Sequence, residues 1–81
     1  MYQTISEPIA VLGVYDHGNF VPRKLKWNQR VLKVDQITMF NDLREGQTRK
    51  RLYSVVCQGT VYRVLFNRDR ELWTLEEVWV E

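Results

Sequence analysis

Nucleophilic catalysis needs a reactive group beside a base, and this chain offers a single cysteine, Cys57, and a single histidine, His17. Cys57 follows Val55 and Val56 in an apolar run. A thiol in such a run packs as a small hydrophobe and stays protonated. His17 stands far away in Asp16-His17-Gly18-Asn19, a cluster of turn formers with no partner for proton transfer in view. One cysteine and one histidine cannot furnish the nitrogen and sulfur ligands of a zinc site within one chain. Glu76 and Glu77 are adjacent on an extended segment, so their carboxylates point to opposite faces and cannot share a proton or a metal. Asp42 and Glu45 fall in a polar stretch, and neither a glycine-rich phosphate loop nor a nucleophile elbow is present. The expectation is a non-enzymatic chain with no catalytic residue, no metal, no cofactor and no small-molecule substrate.

Charge is the remaining chemistry, and it is uneven along the chain. Arg23, Lys24, Lys26, Arg30 and Lys33 lie between Asp16 and Asp35 with no acid among them, whereas Glu71, Glu76, Glu77 and Glu81 close the chain with no base. The net charge of +2 says little by itself. If Phe20–Trp27 is a strand, strict alternation sends Phe20, Pro22, Lys24 and Lys26 one way and Val21, Arg23, Leu25 and Trp27 the other. A tight loop at Asn28-Gln29 sets Lys24 opposite Lys33. Opposed like charges cost stability on a sheet, and an anion would relieve them. Cations beside aromatic rings on a small all-β domain suit the backbone and bases of a nucleic acid. The candidate set is Phe20, Arg23, Lys24, Lys26, Trp27, Arg30 and Lys33, with Phe20 and Trp27 as stacking platforms. The plainer alternative stays open: lysines also keep edge strands soluble.

The elements that must hold these groups are strands. From Arg51 to Val80 the chain runs through β-branched and aromatic residues broken by turn residues. Gln58-Gly59 reads as a two-residue hairpin loop. It pairs Cys57 with Thr60, Val55 with Tyr62 and Tyr53 with Val64. A four-residue loop at Asn67–Arg70 then pairs Val64 with Trp73 and Tyr62 with Leu75. Tyr53, Val55, Tyr62, Val64, Trp73 and Leu75 share the predicted core face. The other face carries Leu52, Val56, Val61, Leu65 and Leu72, interrupted by Ser54, Arg63, Thr74 and Glu76. A sheet apolar on both sides needs a cover on both, so these five leucines and valines are candidate contacts for a homodimer or a protein partner.

Upstream, residues 1–7 read as a loose lead-in to a single small β domain over residues 8–81. Ile9–Tyr15 and Phe20–Trp27 form one hairpin, with Pro22 marking an edge or a bulge. A third strand runs from Arg30 to Ile37 or beyond. Asp35–Glu45 is expected to be a strand bending through Met39, then a polar loop over Asp42–Lys50 with room for one helical turn. The fold class that follows is all-β: a six-stranded antiparallel meander closing into a barrel or rolled sheet, with little or no helix. Apolar and charged shares of 44% and 27% are those of a soluble globular domain. No run of 18 apolar residues or signal-like opening is present. With one cysteine the default location is cytoplasmic, away from membranes.

The order of residues also resembles a known family. Pro8-Ile9-Ala10-Val11, then Gly18 and Pro22, then Leu25-Lys26-Trp27 with Arg30-Val31, Tyr53-Ser54-Val55, Gly59, Tyr62-Arg63-Val64 and Trp73-Thr74-Leu75 are similar to an uncharacterised family of small bacterial domains sometimes encoded near translesion DNA-polymerase components. The resemblance implies an all-β domain and an association with DNA repair, and it brings no catalytic residues. The functional expectation is an accessory module that leans to nucleic acid through its basic hairpin. The alternative is an interaction or self-association module using the second apolar face.

Overall fold

Three turns set the shape. His17-Gly18, Asn28-Gln29 and Gln58-Gly59 each hold both central residues at positive φ, from 51° at Asn28 and Gln58 to 82° at Gly18. That is the two-residue geometry whose twist matches a right-handed hairpin. A computed structural model describes every residue from Met1 to Glu81. It contains eight strands: β1 (Tyr2–Pro8), β2 (Ala10–Asp16), β3 (Asn19–Trp27), β4 (Arg30–Lys33), β5 (Gln36–Glu45), β6 (Thr48–Cys57), β7 (Thr60–Asn67) and β8 (Leu72–Trp79). All pairings are antiparallel. They form a five-stranded sheet in the order β1-β8-β7-β6-β5 and a three-stranded sheet β2-β3-β4.

The all-β, antiparallel expectation holds, but the six-stranded barrel does not. There are eight strands in two sheets, and neither sheet closes on itself. Two segments account for the difference. The expected lead-in is β1, which pairs Tyr2 with Trp79 and Thr4 with Glu77 along β8. The expected third strand is cut at Asp35: β4 ends at Lys33 and β5 starts at Gln36. Between them the Asp35 amide donates to the Val56 carbonyl at 2.8 Å, and the Asp35 carboxylate accepts from the Gln58 amide at 2.9 Å. The chain thus crosses from one sheet to the other. The expected Asp42–Lys50 loop is a hairpin closed at Gly46-Gln47, with Asp42 opposite Arg51 and Glu45 opposite Thr48.

The β6–β7 register is as expected, with Val55 opposite Tyr62 and Tyr53 opposite Val64. The β7–β8 register is displaced by two residues, pairing Val64 with Leu75 and Phe66 with Trp73. The cause is Asn67, whose side-chain oxygen accepts from the Asp69 and Arg70 amides at 3.1 Å each, moving the turn to residues 68–71. A slip of two preserves the faces, so Leu75 is still inside. A bulge between Arg63 and Val64 then pairs Tyr62 with Val78. Val78 therefore joins the core side, and Trp79 passes to the far face against Tyr2, ring centroids 5.1 Å apart.

The core is the seam between the sheets. Leu25 and Leu32 from the small sheet meet Tyr53, Val55, Cys57, Tyr62, Val64 and Leu75 from the large one, all buried. Pro22 is also fully buried. The Tyr53 hydroxyl donates to the Phe20 carbonyl at 2.8 Å, tying the two layers. Two glycines have opposite roles. Gly59 supplies positive φ in open space, whereas a Cβ on Gly13 would stand 2.2 Å from the Val21 carbonyl oxygen and 2.7 Å from the Phe20 ring.

Candidate nucleic-acid interface

The basic hairpin does not follow strict alternation. β2 pairs Leu12 with Lys24 but Gly13 with Pro22, leaving Arg23 as an extra residue in β3. A bulge of this kind lets the side chains before and after it be phased independently. Before it, Phe20 and Pro22 point inward; after it, Leu25 and Trp27 do. Lys24 and Lys26 face outward, Lys24 opposite both Leu12 and Lys33, Lys26 opposite Ala10 and Val31. Arg23 is exposed at the bulge beside them. None of these four cations forms an ion pair; the paired ones are His17, Arg49, Lys50, Arg51, Arg63 and Arg68.

Of the seven residues expected at this surface, four are brought together: Arg23, Lys24, Lys26 and Lys33. Phe20 is not in the lysine row, because the bulge turns it inward against Trp73, centroids 5.5 Å apart, and Tyr15, 5.3 Å. Trp27 packs against the core, and its indole N–H donates to Glu7 at 3.1 Å. Arg30, paired with Trp27 across the turn, lies on that same inner side. The aromatic platforms are therefore absent from the cationic face. Aliphatic side chains stand there instead: Leu12 is 65% and Val31 62% exposed. They rim a shallow groove of about 400 Å³ over Ala10, Lys24 and Lys26. Pro22 was the one signal in the sequence for the bulge that produces this arrangement.

The outer face of the large sheet is the second surface. The three-stranded sheet lies on the core side, and no layer of the chain covers the other. Leu52, Val56, Val61 and Leu65 are half-buried among their neighbours, and Leu72 is exposed. The registers add Met39 opposite Ser54 and Leu43 opposite Lys50 to this face. Ion pairs interrupt it: Arg63 with Glu77 at 3.2 Å and Lys50 with Glu45 at 3.2 Å. The Arg63 guanidinium also sits 3.8 Å from the centroid of the Tyr2 ring.

The groups with reactive potential are elsewhere and apart. Cys57 is buried at the seam, where desolvation and the nearby Asp35 carboxylate push its thiol up to about 11. His17 is in the β2–β3 turn with Nδ1 2.8 Å from Asp16. Burial raises the Tyr62 phenol. At the far end of the large sheet, a hydrogen bond from Arg51 holds the Asp42 carboxyl below its ordinary value, and the Arg49 amide and guanidinium do the same for Asp69.

Comparison with protein-family models, curated proteins and solved structures returns no match for this chain.

Proposed function

We propose that the chain is a non-enzymatic accessory module that holds a nucleic acid by its phosphate backbone on the outer face of β2-β3-β4, through Arg23, Lys24, Lys26 and Lys33. The observation that carries this reading is three lysines on one exposed sheet face, two of them directly opposed, with Arg23 exposed at the adjoining bulge and none of the four paired with a carboxylate. The inward turn of Phe20 and Trp27 makes the contact one of charge rather than base stacking, so it positions without reading sequence. The resemblance to small domains encoded near translesion polymerase components accords with such an accessory role in DNA repair.

The test is fluorescence anisotropy with labelled single-stranded and duplex oligonucleotides across a salt series. Four phosphate contacts give a slope of about −3.6 in log affinity against log salt on a duplex, or roughly a 150-fold loss between 50 and 200 mM. Replacing Lys24, Lys26 and Lys33 by Gln together should leave a slope near that of one contact, about −0.9. Flat isotherms at low salt, or an unchanged slope in the triple variant, would refute the proposal. So would oligonucleotides left free while anionic vesicles are bound through Leu12 and Val31.

A second reading rests on a separate observation, the uncovered apolar face of the large sheet. In that reading Leu52, Val56, Val61, Leu65 and Leu72 pair two copies of the chain. Sedimentation should then report a dimer that Leu65→Lys converts to monomer; a monomer at every concentration would exclude it.

A further inference from the structure

Between the two layers lies a cleft that neither proposed surface uses. It has a volume of about 500 Å³ and is lined by Asn19, Phe20 and Val21 of β3, Ile37–Phe40 of β5, and Arg51 and Tyr53 of β6. Consecutive residues from each strand contribute, so both strands meet the cleft edge-on. Both edges lack a partner there. β5 is the outermost strand of its sheet, and β4 pairs with β3 only from Lys24 onward, leaving Asn19–Pro22 paired on the β2 side alone. The Phe20 carbonyl does point into the gap, where the Tyr53 hydroxyl takes it up.

Exposed edges in folded proteins are usually blunted, and two of the other three edges here are, the seven-residue β2 being the exception. β1 is broken between Thr4 and Glu7, with Ser6 at positive φ, and ends on Pro8. β4 is four residues long and ends on Lys33. β5 has one bulge, at Thr38, and then runs unbroken from Met39 to Glu45. It also carries three of the exposed large apolar side chains, Met39, Phe40 and Leu43. A long regular edge beside an apolar cleft is the arrangement that accepts an added strand: main-chain hydrogen bonds supply affinity, and alternate side chains supply specificity.

Charge selects the occupant. On the cleft side of β5 the register places Phe40, Asp42 and Arg44 in one row. Asp42 is taken up by Arg51 at 2.6 Å and lies 3.7 Å from Arg68. Asp69 is taken up by Arg49. Arg44, opposite Arg49, has no ion pair. A row with an open aromatic pocket at one end and, four residues on, an exposed guanidinium that makes no ion pair and feels only the Asp69 carboxylate already held by Arg49 calls for an apolar and an acidic side chain at the same spacing.

We propose that the free edge of β5 binds an extended segment of an acidic partner protein, which adds antiparallel along Met39–Glu45, seats an apolar side chain among Phe20, Phe40 and Tyr53, and sets a carboxylate against Arg44. In an antiparallel pairing the acidic residue precedes the apolar one by four positions.

The probe is a blocked, threonine- and serine-rich decapeptide with one glutamate four residues before one phenylalanine, titrated into the isotopically labelled full chain by NMR. Amide shifts and slowed hydrogen exchange should appear along Met39–Glu45 and at Asn19–Val21. Phe40→Ala should weaken binding about tenfold, as for a central apolar anchor. Phe40 is 49% exposed, so its truncation leaves the seam packed. Arg44→Glu should reverse the preference from the glutamate peptide to its lysine counterpart. A peptide N-methylated at alternate amides, or one with the spacing changed to five, should not bind. The proposal would be overturned by no shifts at millimolar peptide, equal binding of the N-methylated peptide, shifts confined to the lysine face, or β5 protection that grows with protein concentration alone and so reports a second copy. An oligonucleotide that perturbs β5 while the peptide does not would do the same.

Discussion

Replacing Lys33 by Glu should strengthen the fold while weakening the proposed function. Lys33 stands directly across from Lys24, and both are exposed without ion-pair partners. Directly opposed residues set charged ends on the order of 6 Å apart, and at about that separation in water the repulsion is about 0.7 kcal/mol. Reversing one sign replaces this repulsion with an attraction of like size. The swing of about 1.4 kcal/mol is cut to about 1 kcal/mol at 10 mM salt and about half that at physiological salt. For a domain of this length about 1 kcal/mol raises Tm by about 4–8 °C. Lys33→Gln should give about half the gain. Thermal melts at 10 mM, 150 mM and 1 M salt would separate the three proteins, and the gain should vanish at 1 M. In the anisotropy assay the Glu variant should lose more than the tenfold or so that one phosphate contact supplies over a tenfold salt range, since it adds repulsion. A variant that melts lower than the parent at low salt, or whose gain persists at 1 M, would show that the row is not electrostatically strained.

Three further perturbations read the fold. Gly13→Ala places a Cβ on the Val21 carbonyl oxygen, a backbone atom that cannot swing aside, and should cost about 3 kcal/mol or more by urea denaturation; Phe20→Leu should not rescue it. The folded Asp42 and Asp69 carboxyls lie below their ordinary value of 3.8, so their contribution to stability is full above that pH and lost as pH falls below it. Asp42→Asn combined with Asp69→Asn should flatten the acid limb of the stability curve below about pH 4 and leave Cys57 and the lysine face untouched. Cys57, with its thiol pushed up to about 11, should resist alkylation at pH 8 in the native state and react at the rate of global unfolding; rapid native labelling would refute its burial.

The parts of this fold that were legible in the sequence are those written in short-range chemistry. Gln58-Gly59 specifies its hairpin, and from it the Val55–Tyr62 and Tyr53–Val64 pairs follow by counting. The core face over Tyr53, Val55, Tyr62 and Val64 follows from period two. Counting fails wherever the count itself changes. Bulges at Arg23, at Thr38 and beside Arg63 each insert one residue, and alternation alone cannot locate an insertion. That is why Phe20 reads as part of the lysine row. β1 was hidden for another reason: Tyr2–Pro8 has little apolar content, and its order comes from pairing with the far end of the chain. The lysine cluster was legible because Lys24, Lys26 and Lys33 all lie beyond the bulge. The β3–β5 cleft was not, since it is built by the approach of two edges distant in sequence.

The extra residue in β3 makes that strand two half-strands with separate histories open to them. Upstream of Arg23, Phe20 and Pro22 answer to the interior; downstream, Lys24 and Lys26 answer to whatever lies outside. Drawing Arg23 into the ladder would impose one phase along the whole strand, so that either the ring pair of Phe20 and Trp73 or the seating of Leu25 would have to be given up. Leaving one residue out of the ladder is here what allows a packed floor and a charged roof to be carried on nine consecutive residues.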